Sequence, residues 1–120
     1  MKKALFSLLL LLIALPVIGA NAEDQSPAAV FAARCSRCHG ADGKGNGLLI
    51  RTLTTISGAQ RPADFTDSSA MSKWSDKQLA GIIANGGAAT GGSKLMPAYG
   101  ESLSAAQISE LVKYIRSLSK

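Results

Sequence analysis

The sequence is poor in the residues on which most enzyme and metal sites are built. It has one histidine, His39, two cysteines, Cys35 and Cys38, one tryptophan, and aromatic residues at only 5% of its 120 positions. A structural zinc site wants four Cys or His ligands, and this set falls one short. General acid–base chemistry leans on histidine above all, so a chain with a single imidazole has little to catalyse with. Basic stretches interleaved with aromatics, the footprint of nucleic-acid binding, are missing. So is any strand-like alternating run before Cys35, which a thioredoxin-like redox pair would need. Long apolar runs are scarce too: the one from Ala4 to Ile18 is broken by Ser7 and Pro16, and a membrane span needs about 20 residues.

That run has another use. It follows the basic Met1-Lys2-Lys3 and precedes Ala20-Asn21-Ala22, the layout of a secretory signal peptide with a small-x-small cleavage site. Residues 1–22 are therefore expected to be a signal peptide and 23–120 one soluble domain, with an uncleaved N-terminal anchor as the alternative. Removing 22 of the 120 residues leaves 98, and loss of Lys2 and Lys3 lowers the net charge from +5 to +3, which makes no demand for nucleic acid. A domain this small buries a modest fraction of its surface, so a large apolar cofactor would supply much of its interior. Export points to a bacterial periplasm, where free thiols tend to be oxidised.

The three candidate ligands fall within five residues, Cys35-Ser36-Arg37-Cys38-His39. Cys-x-x-Cys-His reads as a c-type haem attachment site. Two thiols can add to the two vinyl groups on one edge of the macrocycle, and His39 then lies close enough to coordinate the iron. A plain disulfide between Cys35 and Cys38 would explain the thiols but leaves the adjacent histidine as chance.

The rest of the mature chain reads as helices joined by loops. Ser26-Pro27 gives an N-cap and a proline at the first helical position, and the helix it starts puts Phe31 and Cys35, four apart, on one face. Phe31 is a packing residue. Gly40 to Gly47 holds four glycines in eight residues, a loop able to wrap closely around one haem face; it lacks the strand that a nucleotide fingerprint requires. Leu48 to Ile56 is either a short helix or an irregular apolar lining, because Thr52, Thr54 and Thr55 weaken the helix. A turn through Arg61 to Asp67 leads to a short helical segment, Ser68 to Lys73.

Two helix starts share one design. Ser75 with Gln78, and Ser104 with Gln107, are capping boxes, with Trp74–Leu79 and Leu103–Ile108 as the accompanying staples. The first helix carries Leu79, Ile82 and Ile83 and stops at Asn85-Gly86-Gly87, where a left-handed residue can close it. The second carries Ile108, Leu111, Val112, Ile115 and Leu118 at the helical period.

Between them Met96 stands directly before Pro97 in a glycine-rich loop, which pushes it towards an extended backbone. Its thioether is expected opposite His39 as the second axial ligand, and Met/His ligation raises the reduction potential. The bland reading is a core gap-filler. Met71 is the other candidate, but it lies in the short helix among Ser and Lys, a poorer presentation.

Cys35-Ser36-Arg37-Cys38-His39-Gly40, the glycine loop, Pro62-Ala63-Asp64-Phe65, Met96-Pro97-Ala98 and Leu111-Val112-Lys113-Tyr114-Ile115 together resemble the class I c-type cytochromes of bacteria. The resemblance implies an all-α fold of three to five helices wrapped around one covalently bound haem c. Its first and last helices would cross with Phe31 against Leu111 and Tyr114, and the Pro62 carbonyl would bond His39. It also implies a haem edge open to redox partner proteins. With both axial positions filled by side chains the iron can change charge but hardly bind anything, so a monomeric, non-enzymatic periplasmic carrier of single electrons is expected. Arg51 or Arg61 is placed near a haem propionate, with a solvated surface arginine as the alternative. Lys44, Lys73, Lys77 and Lys94 form an expected docking edge for acidic partners, among them membrane respiratory complexes; ordinary surface lysines are the alternative. No nucleic acid and no small-molecule substrate are expected. The alternative functions are a haem c subunit or domain of a larger oxidase, reductase or dehydrogenase, and a gas-binding cytochrome with a vacant axial site.

Overall fold

The computed structural model describes residues 24–120. The expected signal peptide and its cleavage point lie outside those residues. Among the described residues every regular element is helical, in keeping with the expected all-α class.

The first helix, α1 (Pro27–Val30), opens as its sequence dictates: the Ser26 hydroxyl accepts from the Ala29 N–H at 3.3 Å, with Pro27 at the first turn. It then widens into a π-helical turn over Phe31–Cys35, in which the Ser36 N–H reaches back to the Phe31 carbonyl, and continues as α2 (Ser36–His39). An i to i+5 turn leaves the Ala32 carbonyl without the partner an α-helix would give it. The Ser36 hydroxyl takes that carbonyl at 2.7 Å. Phe31 and Cys35 still both reach the core, Phe31 fully buried and Cys35 packed partly buried against it.

The segment after the glycine loop is helical, α3 (Leu48–Ser57). Its hydroxyl residues return their side chains to the helix: Thr52, Thr54, Thr55 and Ser57 bond the carbonyls of Leu48, Ile50, Arg51 and Leu53 at 2.7 to 3.0 Å. This back-bonding answers the competition that makes threonine a poor helix former, and Gly58, left-handed at φ 66°, ends the helix. A short α4 (Ser68–Met71), capped by the Asp67 carboxylate, stops before the expected Lys73.

Both capping boxes form, at the starts of α5 (Asp76–Asn85) and α6 (Ala105–Ser117). The staples differ: Leu103 and Ile108 are both buried, whereas Trp74 stays 42% exposed beside a buried Leu79. Gly86 closes α5 with a positive φ of 81° but an extended ψ of 165°. It is thus not the expected left-handed helical cap; the extended ψ sends the chain on to Gly87, whose N–H bonds the Met96 carbonyl at 3.0 Å.

The core is organised on α6, whose Ile108, Leu111, Val112 and Ile115 are all buried. α1 packs on it from one side and α5 from another. Phe31 meets Tyr114 with ring centroids 5.3 Å apart and a tilt of 55°, and Phe65 at 6.4 Å and 60°. Phe31 and Leu111, each 1% exposed, join the first and last helices as expected. Burying an aromatic or leucine side chain of this kind stabilises a fold by roughly 1.5–3 kcal/mol.

Candidate haem site

Cys35, Cys38 and His39 arrive on one continuous helical segment because α1, the π-turn and α2 run without a break. Turns of the π type recur at functional sites, and this one ends on the first cysteine. Neither thiol is in a disulfide, and both are half-buried. Burial pushes the Cys35 thiol up to about 11, against a smaller opposing pull from the Arg34 charge. A thioredoxin-like pair would also follow a strand, and among the described residues every regular element is helical.

The loop after His39 is laced to the segment that carries the ligands. Gly45 N–H donates to the His39 carbonyl at 2.7 Å and Gly47 N–H to the Cys38 carbonyl at 3.1 Å. Gly40, Gly43 and Gly45 have positive φ, while Gly47 serves by close approach, since a Cβ there would come within 2.6 Å of the Ser36 carbonyl. Phe65, held by its N–H to the Gly43 carbonyl at 2.8 Å, stacks on the His39 imidazole at 4.6 Å and 18°. Spacing alone does not reveal that role for Phe65.

Burial also pushes the His39 imidazole down to about 4, so the ring is neutral at pH 7 with a lone pair to give. Its Nδ1 is shut off from solvent without a hydrogen-bond partner, a situation that costs roughly 1–3 kcal/mol. The bond expected from the Pro62 carbonyl is therefore not formed. That carbonyl instead closes on the backbone of Gly45, where it would overlap a Cβ.

Met96 and Met71 part company. Met71 is 2% exposed and belongs to the hydrophobic core. Met96 lies in the irregular loop after α5, half-buried and outside that core. Its backbone is fixed from both sides: the Met96 N–H donates to the Ser93 carbonyl at 3.2 Å, and the Met96 carbonyl accepts from Gly87 at 3.0 Å. Gly87 permits this crossing, because a Cβ there would stand 3.0 Å from the Met96 Cβ and collide with the Ser93 carbonyl.

Tyr99, three residues on, connects the methionine loop to the thiols. Its hydroxyl donates to the Arg34 carbonyl at 3.1 Å. Burial holds the phenol above its ordinary pKa, helped by the nearby Cys35 and Cys38. The sequence signal for this role is no more than an aromatic residue three positions after the methionine.

The donor set fits a haem. Two unbonded thiols, a neutral imidazole and a methionine outside the core are the groups such a cofactor consumes. Leu48 and Leu49 begin α3 directly after the laced loop, and Leu95 directly precedes Met96; all three are exposed apolar side chains next to candidate ligand segments. Among the described residues no cluster of three or more His, Cys, Asp or Glu could hold a metal ion, and no helix is long and apolar enough to cross a membrane. Arg51, Arg61, Lys44, Lys73, Lys77 and Lys94 are all exposed.

The family model described as cytochrome c oxidase, cbb3-type, subunit III matches residues 22–115. Among solved structures, the KustC0563 c-type cytochrome is similar with a TM-score of 0.61 and 25% identity, over 79% of this chain and 99% of that one. No curated protein matches the sequence.

Proposed function

We propose, for a chain that belongs to the cbb3-type cytochrome c oxidase subunit III family, that it is a periplasmic carrier of single electrons on a His39/Met96-ligated haem. The chain is a c-type cytochrome domain, with covalently bound haem c and electron transfer as its chemistry. When bound, the haem supplies an iron that changes by one electron, at a potential raised by Met/His ligation.

The chain's own residues do the rest. Cys35 and Cys38 would form the two thioethers. His39, neutral because it is buried, would give its lone pair on one side, oriented by the Phe65 ring stacked against it. Met96 would give its sulfur on the other. With His39 and Met96 both engaged in this way, no position would be left for a substrate.

One observation carries this reading: the structure removes Met71 into the core and leaves Met96 outside it, on a loop whose backbone is clamped on both sides. The test is the spectrum of the purified holoprotein. The ferric form should show the weak red band of methionine-ligated haem, and Met96→Ala should abolish it. If the wild type lacks that band and its reduced form binds carbon monoxide rapidly at neutral pH, the site is a vacant one and the axial assignment fails.

The family description favours a second reading, a haem c subunit of a larger oxidase. Stable co-purification with a membrane or catalytic partner would support the subunit, and isolation as a free monomer would support the carrier.

A further inference from the structure

We propose that Tyr99 is a positioning residue for the axial methionine, because its hydroxyl closes a ring of hydrogen bonds that fastens the Met96 loop to the residue just before the first thiol. The ring has three members. The Tyr99 hydroxyl donates to the Arg34 carbonyl at 3.1 Å, the Arg34 Nη1 donates to the Ser102 hydroxyl at 3.0 Å, and the Ser102 hydroxyl donates to the Tyr99 carbonyl at 3.3 Å. Arg34 is the immediate neighbour of Cys35, and Tyr99 lies three residues from Met96. The proposal rests on Met96 being the axial ligand.

The remaining bonds around Met96 tie the loop to its own helix. Tyr99 N–H donates to the Ile83 carbonyl and Gly100 N–H to that of Ala84, both at 2.9 Å, and Gly87 holds the Met96 carbonyl. These make the loop and α5 one body. Pro97 has a fixed φ and restricts Met96 before it, so Ala98 is the one freely rotating residue between the methionine and the tyrosine. Whatever fixes Tyr99 therefore also limits where Met96 can go. The cysteine segment is a second body, which shares α6 with α5 as packing partner. The Tyr99 and Arg34 bonds cross between the two bodies, and so bear on the separation of the ligand on one from the thiols and His39 on the other.

The experiment titrates the ferric holoprotein with free imidazole and follows the shift of the main haem absorption band, which reads binding with or without Met96, together with loss of the red methionine band where Met96 is present. Displacement breaks the iron–sulfur bond and forms an iron–nitrogen bond, with no change in oxidation state. Losing one neutral hydrogen bond of ordinary strength should raise the apparent imidazole affinity of Tyr99→Phe by roughly three- to tenfold. Ser102→Ala, an exposed change that leaves the phenol in place, should shift it in the same direction by less. In a Met96→Ala background, which has no methionine to displace, Tyr99→Phe should not alter imidazole affinity, whereas general loosening of the fold would still raise it.

Unchanged affinity in Tyr99→Phe with the band present in the wild type overturns the positioning role alone. An equal rise in the Met96→Ala background overturns it as well. Absence of the band from the wild type overturns the axial assignment and this proposal with it.

Discussion

Three glycines make the same chemical change, Gly→Ala, report three different physical terms. Gly47 has an ordinary φ of −57°, so alanine meets no backbone penalty there. The obstacle is approach: its Cβ would come within 2.6 Å of the Ser36 carbonyl and closer still to that of Arg37. Relief requires α3 to back away from α2, giving up the Gly47–Cys38 hydrogen bond of 3.1 Å. Overpacking costs roughly 1–3 kcal/mol and the lost bond about 1 more, so Gly47→Ala should destabilise by about 2–4 kcal/mol. Gly58 has open space around it but a left-handed φ of 66°, and its alanine should cost about 1–2 kcal/mol through backbone strain alone. Gly81 sits inside α5 with nothing within 4 Å of a new Cβ, where alanine should gain roughly 0.5–1 kcal/mol. Guanidinium unfolding of the holoproteins, followed by helical circular dichroism, should rank the midpoints Gly81→Ala above wild type, then Gly58→Ala, then Gly47→Ala, at constant slope. If Gly47→Ala unfolds with or after Gly58→Ala, close backbone approach is not what seats the loop against the cysteine turn.

Arg116 reaches three groups at once: its Nε bonds Asp76 Oδ1 at 2.9 Å, its Nη1 the Met71 carbonyl at 2.8 Å, and its Nη2 the Trp74 carbonyl. Because Asp76 is largely exposed, the ion pair contributes little and the two carbonyl bonds carry the effect. Arg116→Lys, which keeps the charge but loses the planar fork, should cost about 1–2 kcal/mol and lower the thermal midpoint by roughly 4–8 °C per kcal/mol; an unchanged midpoint would show that the grip is idle. Replacing Lys44, Lys73, Lys77 and Lys94 by glutamine should flatten the ionic-strength dependence of electron transfer to an acidic partner, and a slope equal to wild type would exclude them as the docking edge.

The attachment motif and both capping boxes were legible because each is a local pattern, complete within five or six residues. Where the outcome depended on distant packing, local reading stopped short. The threonines of α3 argued against a helix, yet each finds a carbonyl four residues back. Nothing in Phe31 to Cys35 announces a π-turn, in a stretch where Phe31 is seated among α6 side chains from the far end of the chain. The bond from Tyr99 to Arg34 spans 65 residues and leaves no periodic trace. The Pro62 bond to His39 was implied by resemblance alone, and there the Pro62 carbonyl packs on Gly45 instead.

What joins these parts is the order in which constraints reach the candidate ligands. His39 is held from below by an aromatic ladder, stacked on Phe65, which meets Phe31, which meets Tyr114 of α6. Met96 is held through Gly87 and Tyr99 to α5, which packs on the same α6. The two ligand-bearing bodies thus share one helix as a base, and the Tyr99–Arg34–Ser102 ring joins them at the thiol end. A ligand pair fixed from two sides moves little when the charge between it changes, and groups already in place need no reorganisation at the moment of reaction. For a protein whose chemistry is the passage of an electron, holding this candidate pair in place is the contribution its chain would make, and loss of the Tyr99 hydroxyl should loosen one of the ties that hold it.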